Sequence, residues 1–273
     1  MTFTHLYLAT LLIFFGLIEP IRYLNENLIQ THSVLKSLVL KIAENGNSTK
    51  QNFRDTDHLQ NSLETATHYD FDGDGRPPPG NRRGGASRGN CPPVQPPLTA
   101  LIPATNLGLT TQQYPTFWFY IPYSSTDIPQ AEFMLLDENQ RPALEESISV
   151  ELSQTPGIIG VTLPSTAKPL EPEQEYHWFF ELICDAENPS NNPRVDGWIK
   201  RVQPSQDLLT QLENNQAEQN YLIYAENGIW YDALTNLIQA LQANPSNSSL
   251  KNDWFDLLES VELQEIVRVT TIR

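Results

Sequence analysis

The sequence predicts a mainly β protein: an antiparallel two-sheet sandwich followed by a small α-helical C-terminal region. Three observations support this fold class. Residues 115–123 (PTFWFYIPY) are rich in aromatic side chains, as a nearly fully buried strand would be. From residue 98 to 202, short β-rich runs alternate with loops that contain Pro, Gly, Asn or Asp. After Pro204 the pattern changes to helical periods with few β-branched residues.

Composition and charge limit the classes of protein. The 273 residues carry a formal net charge of −16, and the pI is near 4.6. A nucleic-acid partner is not expected, because phosphate binding needs a positive field. Proline (21) outnumbers glycine (13), which is commoner in β-rich extracytoplasmic modules than in helical enzymes. Two cysteines exclude a metal cluster of thiolates but allow one disulfide.

Residues 1–32 are predicted to be a signal-like or anchor segment. Their apolar run at 6–18 is short for a bilayer span and matches the hydrophobic region of a secretory signal. The alternative is a buried helix of a soluble protein. We expect export to an extracytoplasmic location, periplasmic or secreted, with membrane contact only through this segment if it stays as an anchor.

Residues 33–97 are predicted to form a short amphipathic helix and then a disordered linker rich in Pro, Gly and Arg. The linker cannot bury enough apolar surface to offset its ordering entropy. Within it, Asp70, Asp72 and Asp74 reproduce the opening of a calcium-binding loop, but Asn81 stands where the closing glutamate is needed. We therefore predict a solvated acidic turn and no metal site.

Residues 98–203 are predicted to be the β-sandwich domain. Seven runs have the composition of strands: 98–102, 116–123, 131–137, 147–152, 158–163, 175–184 and 195–202. In the fourth run, Ile148, Val150 and Leu152 alternate with Ser149 and Glu151, the pattern of a sheet with one solvated face.

The motif L-x-P-x-x-x-Y, formed by Leu170, Pro172 and Tyr176, stands directly before a predicted strand. It resembles the tyrosine corner of fibronectin type III and immunoglobulin-like domains, where the tyrosine hydroxyl bonds back to the loop backbone. This resemblance implies an immunoglobulin/fibronectin-III-like sandwich. It implies no activity, because sandwiches host many unrelated functions.

Strand alternation divides the aromatic residues of 116–123 between two faces. Phe117, Phe119 and Ile121 share one face, and Trp118 and Tyr120 share the other. Either the helical region covers the second face, or Trp118 and Tyr120 are exposed and form a binding surface.

Residues 204–273 are predicted to form an acidic helical cap with helices near 206–224, 230–243 and 250–258. The stretch 225–247 looks like the second helix of a tetratricopeptide repeat. Gly228, Ala233, Leu237, Ala240 and Pro245 stand at that repeat's small, bulky and terminating positions. One unit cannot bury its own apolar face, so we expect a tetratricopeptide-like hairpin docked on the sandwich.

No catalytic constellation or cofactor-binding motif is recognisable in the sequence. His177 is expected to be structural, because a lone histidine in a strand has no obvious catalytic partner. Glu132 with Glu181 is the pair of carboxylates we considered for glycoside hydrolysis, although nothing in their spacing selects them. We therefore do not expect an enzyme.

Six longer motifs follow one another along residues 87–202 and carry a family resemblance. They are SRGNCP (87–92), LTALIPATNLGL (98–109), PTFWFYIPY (115–123), TPGII (155–159), YHWFFELICD (176–185) and GWIKRV (197–202). On these motifs the chain resembles the cyanobacterial proteins grouped as domain-of-unknown-function family 928, from about residue 85 to the C-terminus. The resemblance implies a secreted or envelope-associated protein. It implies no reaction, cofactor or catalytic residue.

The family pattern also holds a cysteine at the positions of Cys91 and Cys184. In an oxidising compartment the two could form a disulfide, which would contribute about 4 kcal/mol in the chain-entropy model. The alternative is two reduced cysteines, with Cys184 buried and Cys91 exposed.

These observations favour an exported, non-catalytic module that binds an unknown protein or a polysaccharide. One alternative is a structural or assembly component of the cell envelope, tethered by its N-terminus. A second alternative is an extracytoplasmic hydrolase that uses carboxylates.

Overall fold

The computed structural model describes residues 69–71, 78–85, 91–153 and 155–269, all within one compact unit, Leu63–Arg273. The predicted signal segment, the helix at 34–43 and two aspartates of the calcium-like loop, Asp72 and Asp74, lie outside the described residues. Every helix in the described ranges is too short or too polar to span a bilayer. No group of three or more His, Cys, Asp or Glu residues there is arranged to hold a metal ion.

The described residues form two β-sheets. In chain order the strands are β1 (Thr99–Ala100), β2 (Leu107–Thr110), β3 (Thr116–Ile121), β4 (Gln130–Leu136), β5 (Ile148–Glu151), β6 (Gly157–Thr162), β7 (Glu175–Leu182) and β8 (Arg194–Arg201). The first sheet has the order β1-β3-β6, and the second has the order β2-β8-β7-β4-β5. All pairs are antiparallel except β2 with β8, which is parallel, so the prediction of a purely antiparallel fold is wrong at this edge.

Large aromatic side chains fill the space between the sheets. The Phe119 ring stacks on the Phe180 ring with centroids 4.1 Å apart, and Phe117 lies 4.7 Å from Phe133. Trp178 is fully buried between them. The inward residues come from alternate positions of each strand, so the opposite positions of β7 and β8 point away from the first sheet.

The loop before β7 is held by Tyr176. The Tyr176 hydroxyl accepts a hydrogen bond from the backbone N–H of Glu171 (2.9 Å) and donates to the side chain of Gln174 (3.3 Å). Leu170 is buried, and its carbonyl accepts from the Arg201 guanidinium (2.7 Å). The loop is therefore tied both to its own strand and to β8.

The C-terminal part is helical. The helices are α1 (Gln206–Asn214), α2 (Asn220–Glu226), α3 (Trp230–Ala243), α4 (Ser248–Glu259) and α5 (Gln264–Val269). The predicted single helix over 206–224 is wrong, since Asn215 is extended and a short 3-10 turn separates α1 from α2. Asparagine favours such breaks, because its side chain competes for backbone hydrogen bonds.

The first turn of α3 enters the sandwich. Trp230 Nε1 donates to the carbonyl of Leu101 (2.8 Å). The Tyr231 hydroxyl accepts from Trp178 Nε1 (2.9 Å) and donates to the carbonyl of Trp198 (3.2 Å). The helices and both sheets therefore share one hydrophobic core.

Gly108 in β2 permits this insertion. A Cβ atom at this position would lie only 2.7 Å from the Tyr231 ring and 3.2 Å from Trp230. Such contacts are well inside van der Waals distance, so any larger residue would push α3 away from the sheet edge.

Asp232, in the same helical turn, is a buried carboxylate that is 2% exposed. It accepts hydrogen bonds from the hydroxyls of Thr110 (2.6 Å) and Thr111 (2.5 Å), the backbone N–H of Thr111 (3.2 Å) and the side-chain amide of Gln112 (3.1 Å). A buried carboxylate is tolerated when it is satisfied in this way. Asp232 thus joins the helix to the end of β2.

Replacing Asp232 with alanine is expected to lower the free energy of unfolding by about 2–3 kcal/mol, because the N–H of Thr111 and two hydroxyls lose their charged acceptor. Urea unfolding followed by far-UV circular dichroism measures the effect. The control is Asp256→Ala, which removes an exposed aspartate from α4. Equal midpoints for the two variants would contradict the role assigned to Asp232.

Part of the predicted linker pairs with the strands. The N–H of Ala100 donates to the carbonyl of Arg82 (2.7 Å), and the N–H of Asp196 donates to the carbonyl of Asn81 (3.0 Å). The Arg82 guanidinium donates to the carbonyl of Val261 (2.6 Å), and burial is the largest cause that lowers its pKa. The prediction of disorder is therefore wrong for this part, because its backbone groups pair with β1 of one sheet and β8 of the other.

Candidate functional site

The outer face of the five-stranded sheet, meaning the face turned away from the other sheet, carries a row of rings. The His177 ring stacks on Trp198 with centroids 4.3 Å apart and an interplanar angle of 9°. The His177 ring also lies 4.2 Å from the Phe179 ring, centre to centre. These residues occupy the outward positions of β7 and β8, which the alternation of each strand dictates.

His177 is held as a packed ring. Its Nε2 lies 2.8 Å from Asp196 Oδ2, and the two side chains are only 12% and 14% exposed. Asp196 also accepts from the N–H of Asn81 (3.1 Å), and Trp198 Nε1 donates to the carbonyl of Pro79 (2.9 Å). Asp196 and Trp198 therefore anchor the chain segment before β1. The His177–Asp196 pair is too enclosed to contact a large ligand.

Beside this row lies a polar cleft of about 580 Å³. It opens where the loop between β7 and β8 meets the outer face. Its lining includes Asn81, Glu181, Ser190, Asn191, Asn192 and Arg194. A concave site lined by convergent amide, hydroxyl and charged groups is suited to a polar ligand.

Asn192 fixes the shape of the cleft. Its Oδ1 accepts from the N–H groups of Cys184 (3.0 Å) and Asp185 (2.9 Å), and its Nδ2 donates to Glu181 Oε1 (2.8 Å). The Asp185 carboxylate accepts from the N–H of Asn188 (3.0 Å), and this hydrogen bond is the largest cause that lowers the pKa of Asp185. The wall of the cleft is therefore preorganised.

A disulfide joins Cys91 to Cys184 at the base of this loop, with the two Cα atoms 5.6 Å apart. The prediction of this disulfide is confirmed. Cys91 is buried and Cys184 is half-buried, the reverse of the burial expected for the reduced alternative. A disulfide is typical of oxidising compartments and favours an extracellular location.

An apolar patch borders the cleft. Phe179 and Met134 are direct partners across the β4–β7 pair, and Met134 is 39% exposed. The guanidinium of Arg194 lies 5.5 Å from the centre of the Phe179 ring, within cation–π range. The site therefore combines an apolar platform, a cation and a polar cleft.

Glu132 and Glu181, the carboxylates considered for hydrolysis, stand directly opposite each other on β4 and β7. Glu132 is exposed, whereas Glu181 accepts from Asn192. Among the described residues that line the cleft, Glu181 is present and Glu132 is not. Of this pair, Glu181 alone therefore faces the cleft described above.

Trp118 and Tyr120, the candidate binding surface, lie largely under the helical region. Tyr120 is 6% exposed, and Trp118 Nε1 donates to the hydroxyl of Thr235 in α3 (3.0 Å). Of the two alternatives left open by the sequence, Tyr120 follows the first, because it is covered. The half-buried edge of Trp118 lines a second, smaller cleft of about 330 Å³ with Gln239 and Gln242.

Of the residues that line the larger cleft, only Glu181 was a candidate from the sequence, as one of the two carboxylates considered for hydrolysis. Alternation in β7 places His177 and Phe179 on one face, so the ring row has a sequence signal. Asn192 and Arg194 have no such signal, because their positions depend on hydrogen bonds within an irregular loop and on the β7–β8 register.

The chain belongs to the family described as Domain of Unknown Function (DUF928), whose model matches residues 83–271, more than half of the chain. The family prediction is thereby confirmed. No curated protein and no solved structure shows significant similarity to this sequence.

Proposed function

We propose that this protein is an exported, non-catalytic binding module whose ligand is a polysaccharide chain. The observation that carries the proposal is the polar cleft of about 580 Å³ lying directly beside the apolar patch of Phe179 and Met134. Sugar rings present an apolar face and a rim of hydroxyl groups. A ligand of this kind matches a site that combines an apolar platform with convergent polar side chains.

The proposed fold is an immunoglobulin/fibronectin-III-like sandwich with a tetratricopeptide-like hairpin, α2–α3, as its cap. The sheet orders β1-β3-β6 and β2-β8-β7-β4-β5 and the bond from Glu171 to the Tyr176 hydroxyl support the first part. Gly228, which has a φ of 71° between the two helices, supports the second. The fold itself does not select a ligand, so the functional proposal rests on the cleft.

The proposed location is extracytoplasmic, either periplasmic or secreted, with an N-terminal segment that can serve as an anchor. The Cys91–Cys184 disulfide supports an oxidising compartment. Cell fractionation with intact-mass measurement tests this location. A cytoplasmic, fully reduced protein would contradict it.

A variant that fills the cleft tests the proposed site. Ser190 is exposed and lines the cleft, so a tryptophan there is expected to weaken polysaccharide binding by at least about 10-fold through steric exclusion. Affinity electrophoresis of the full chain in gels containing hydroxyethylcellulose, xylan, alginate or polygalacturonate measures binding. Ser165→Trp, in the exposed β6–β7 loop, is the matched control and should bind as the unchanged protein does.

Two outcomes contradict the proposed function. If the protein binds none of these polysaccharides, polysaccharide binding is wrong. If Ser190→Trp and Ser165→Trp bind equally well, the ligand does not occupy this cleft. A reducing-sugar assay on the same samples tests the non-catalytic part, and release of reducing ends that disappears in Glu181→Gln would assign a hydrolase instead.

A further inference from the structure

The carboxylates of the cleft already have protein partners. Glu181 Oε1 accepts from Asn192 (2.8 Å). Asp196 Oδ2 lies 2.8 Å from His177 Nε2, and its Oδ1 accepts from the N–H of Asn81 (3.1 Å). One oxygen of Glu181 and both oxygens of Asp196 are therefore occupied by protein groups.

The cation of the cleft has no such partner. Arg194 is exposed, and its guanidinium has no ion pair or hydrogen bond to any residue of the described ranges, although it stands opposite Glu181 in the β7–β8 register. The guanidinium carbon lies over the Phe179 ring, 5.5 Å from its centre. The guanidinium donors therefore remain available at the mouth of the cleft.

The other cations of the two-sheet part are paired. Arg141 contacts Asp137 (2.8 Å), Lys168 contacts Glu171 (2.9 Å), Lys200 contacts Glu173 (3.3 Å), and Arg201 donates to the Leu170 carbonyl (2.7 Å). Arg194 differs from all four. It is also the one that lies beside a concave site and over an aromatic ring.

We infer, on the basis of the proposed function, that the polysaccharide is acidic and that Arg194 binds the carboxylate of a uronic acid unit. A guanidinium presents a planar set of donors that matches a carboxylate in a bidentate pair, and the Arg194 guanidinium lies within cation–π range of Phe179. The formal net charge of −16 repels a polyanion at long range. At physiological salt this repulsion is screened beyond about 8 Å, so the local pair decides which sugar binds.

The test compares two cations of β8 that point to the same outer face. Arg194→Gln is expected to weaken binding of polygalacturonate by about 10-fold and to leave binding of hydroxyethylcellulose unchanged. Lys200→Gln removes the same charge from the same strand and should change neither affinity by more than about 2-fold. Arg194→Lys keeps the charge but loses the bidentate donor geometry of the guanidinium, so its affinity for polygalacturonate should be intermediate. Isothermal titration calorimetry with the full chain at physiological salt measures all of these.

The outcomes separate this inference from the proposed function. If polygalacturonate and hydroxyethylcellulose bind equally well and Arg194→Gln affects neither, the inference is overturned and the binding function stands. If dextran sulfate binds as tightly as polygalacturonate, the assignment of a carboxylate is overturned. If these three polysaccharides, xylan and alginate all fail to bind, the proposed function fails and the inference fails with it.

Discussion

Replacing Trp230 with alanine is expected to lower the free energy of unfolding by about 3–5 kcal/mol. The Trp230 side chain is fully buried at the start of α3, and its ring packs edge-on against Phe71 with centroids 4.9 Å apart. Truncation would leave a cavity between the helices and the sandwich. It would also leave the buried Leu101 carbonyl without its donor. Urea unfolding followed by far-UV circular dichroism measures the loss.

The control for this prediction is Phe255→Ala, because Phe255 lies on α4 and is 36% exposed. This variant should lose less than about 1 kcal/mol, as is usual for surface substitutions. Two results would contradict the prediction for Trp230→Ala. One is a midpoint equal to that of the control. The other is a separate early transition that removes the helical signal and leaves the β signal intact, because a shared core requires the sheets and helices to unfold together.

Strand-like composition between turn signals predicted seven of the strands, but it did not reveal β2. Its sequence, Leu107–Thr110 (LGLT), has a glycine at an inward position, and glycine in a short run is normally read as a break in a strand. The reason for Gly108 is Tyr231, which packs against it from a helix far along the chain. A local pattern does not contain such a long-range contact.

The docking of the helical region was predicted, but not its insertion into the sandwich. From sequence, Asp232 is an ordinary acidic residue in the first turn of a helix, where the helix dipole favours negative charge. Its burial depends on donors from Thr110, Thr111 and Gln112, which the fold brings to the helix. Nothing in the sequence indicates that Asp232 is buried or that these three residues are its hydrogen-bond donors.

The candidate site also has one part that the sequence predicts and another part that depends on the fold. The ring row of His177 and Phe179 follows from strand alternation, whereas the opposition of Glu132 and Glu181 follows only from the β4–β7 register. The available charge on Arg194 follows from the absence of a partner among the described residues. A cation can be recognised as unpaired only when the positions of the other charges are known, and these positions come from the structure.

Replacing both Cys91 and Cys184 with alanine is expected to lower the free energy of unfolding by about 4 kcal/mol. The disulfide closes a loop with a sequence separation of 93. In the chain-entropy model, opening so long a loop gives the unfolded chain many more conformations. The disulfide also ties the segment before β1 to the end of β7, next to the hydrogen bonds that Asn192 makes to Cys184 and Asp185. Urea unfolding without reductant measures the change.

Reduction of the unchanged protein is the matched control, because it breaks the same covalent bond without altering the sequence. The reduced protein should unfold at nearly the same urea midpoint as the alanine double variant, whereas the variant itself should be insensitive to reductant. If the loop of the cleft depends on this bond, both forms should also bind polysaccharide more weakly than the oxidised protein, since the wall formed by Asn192 loses its tether. A count of two free thiols on the unreduced protein, or equal midpoints with and without reductant, would contradict the prediction.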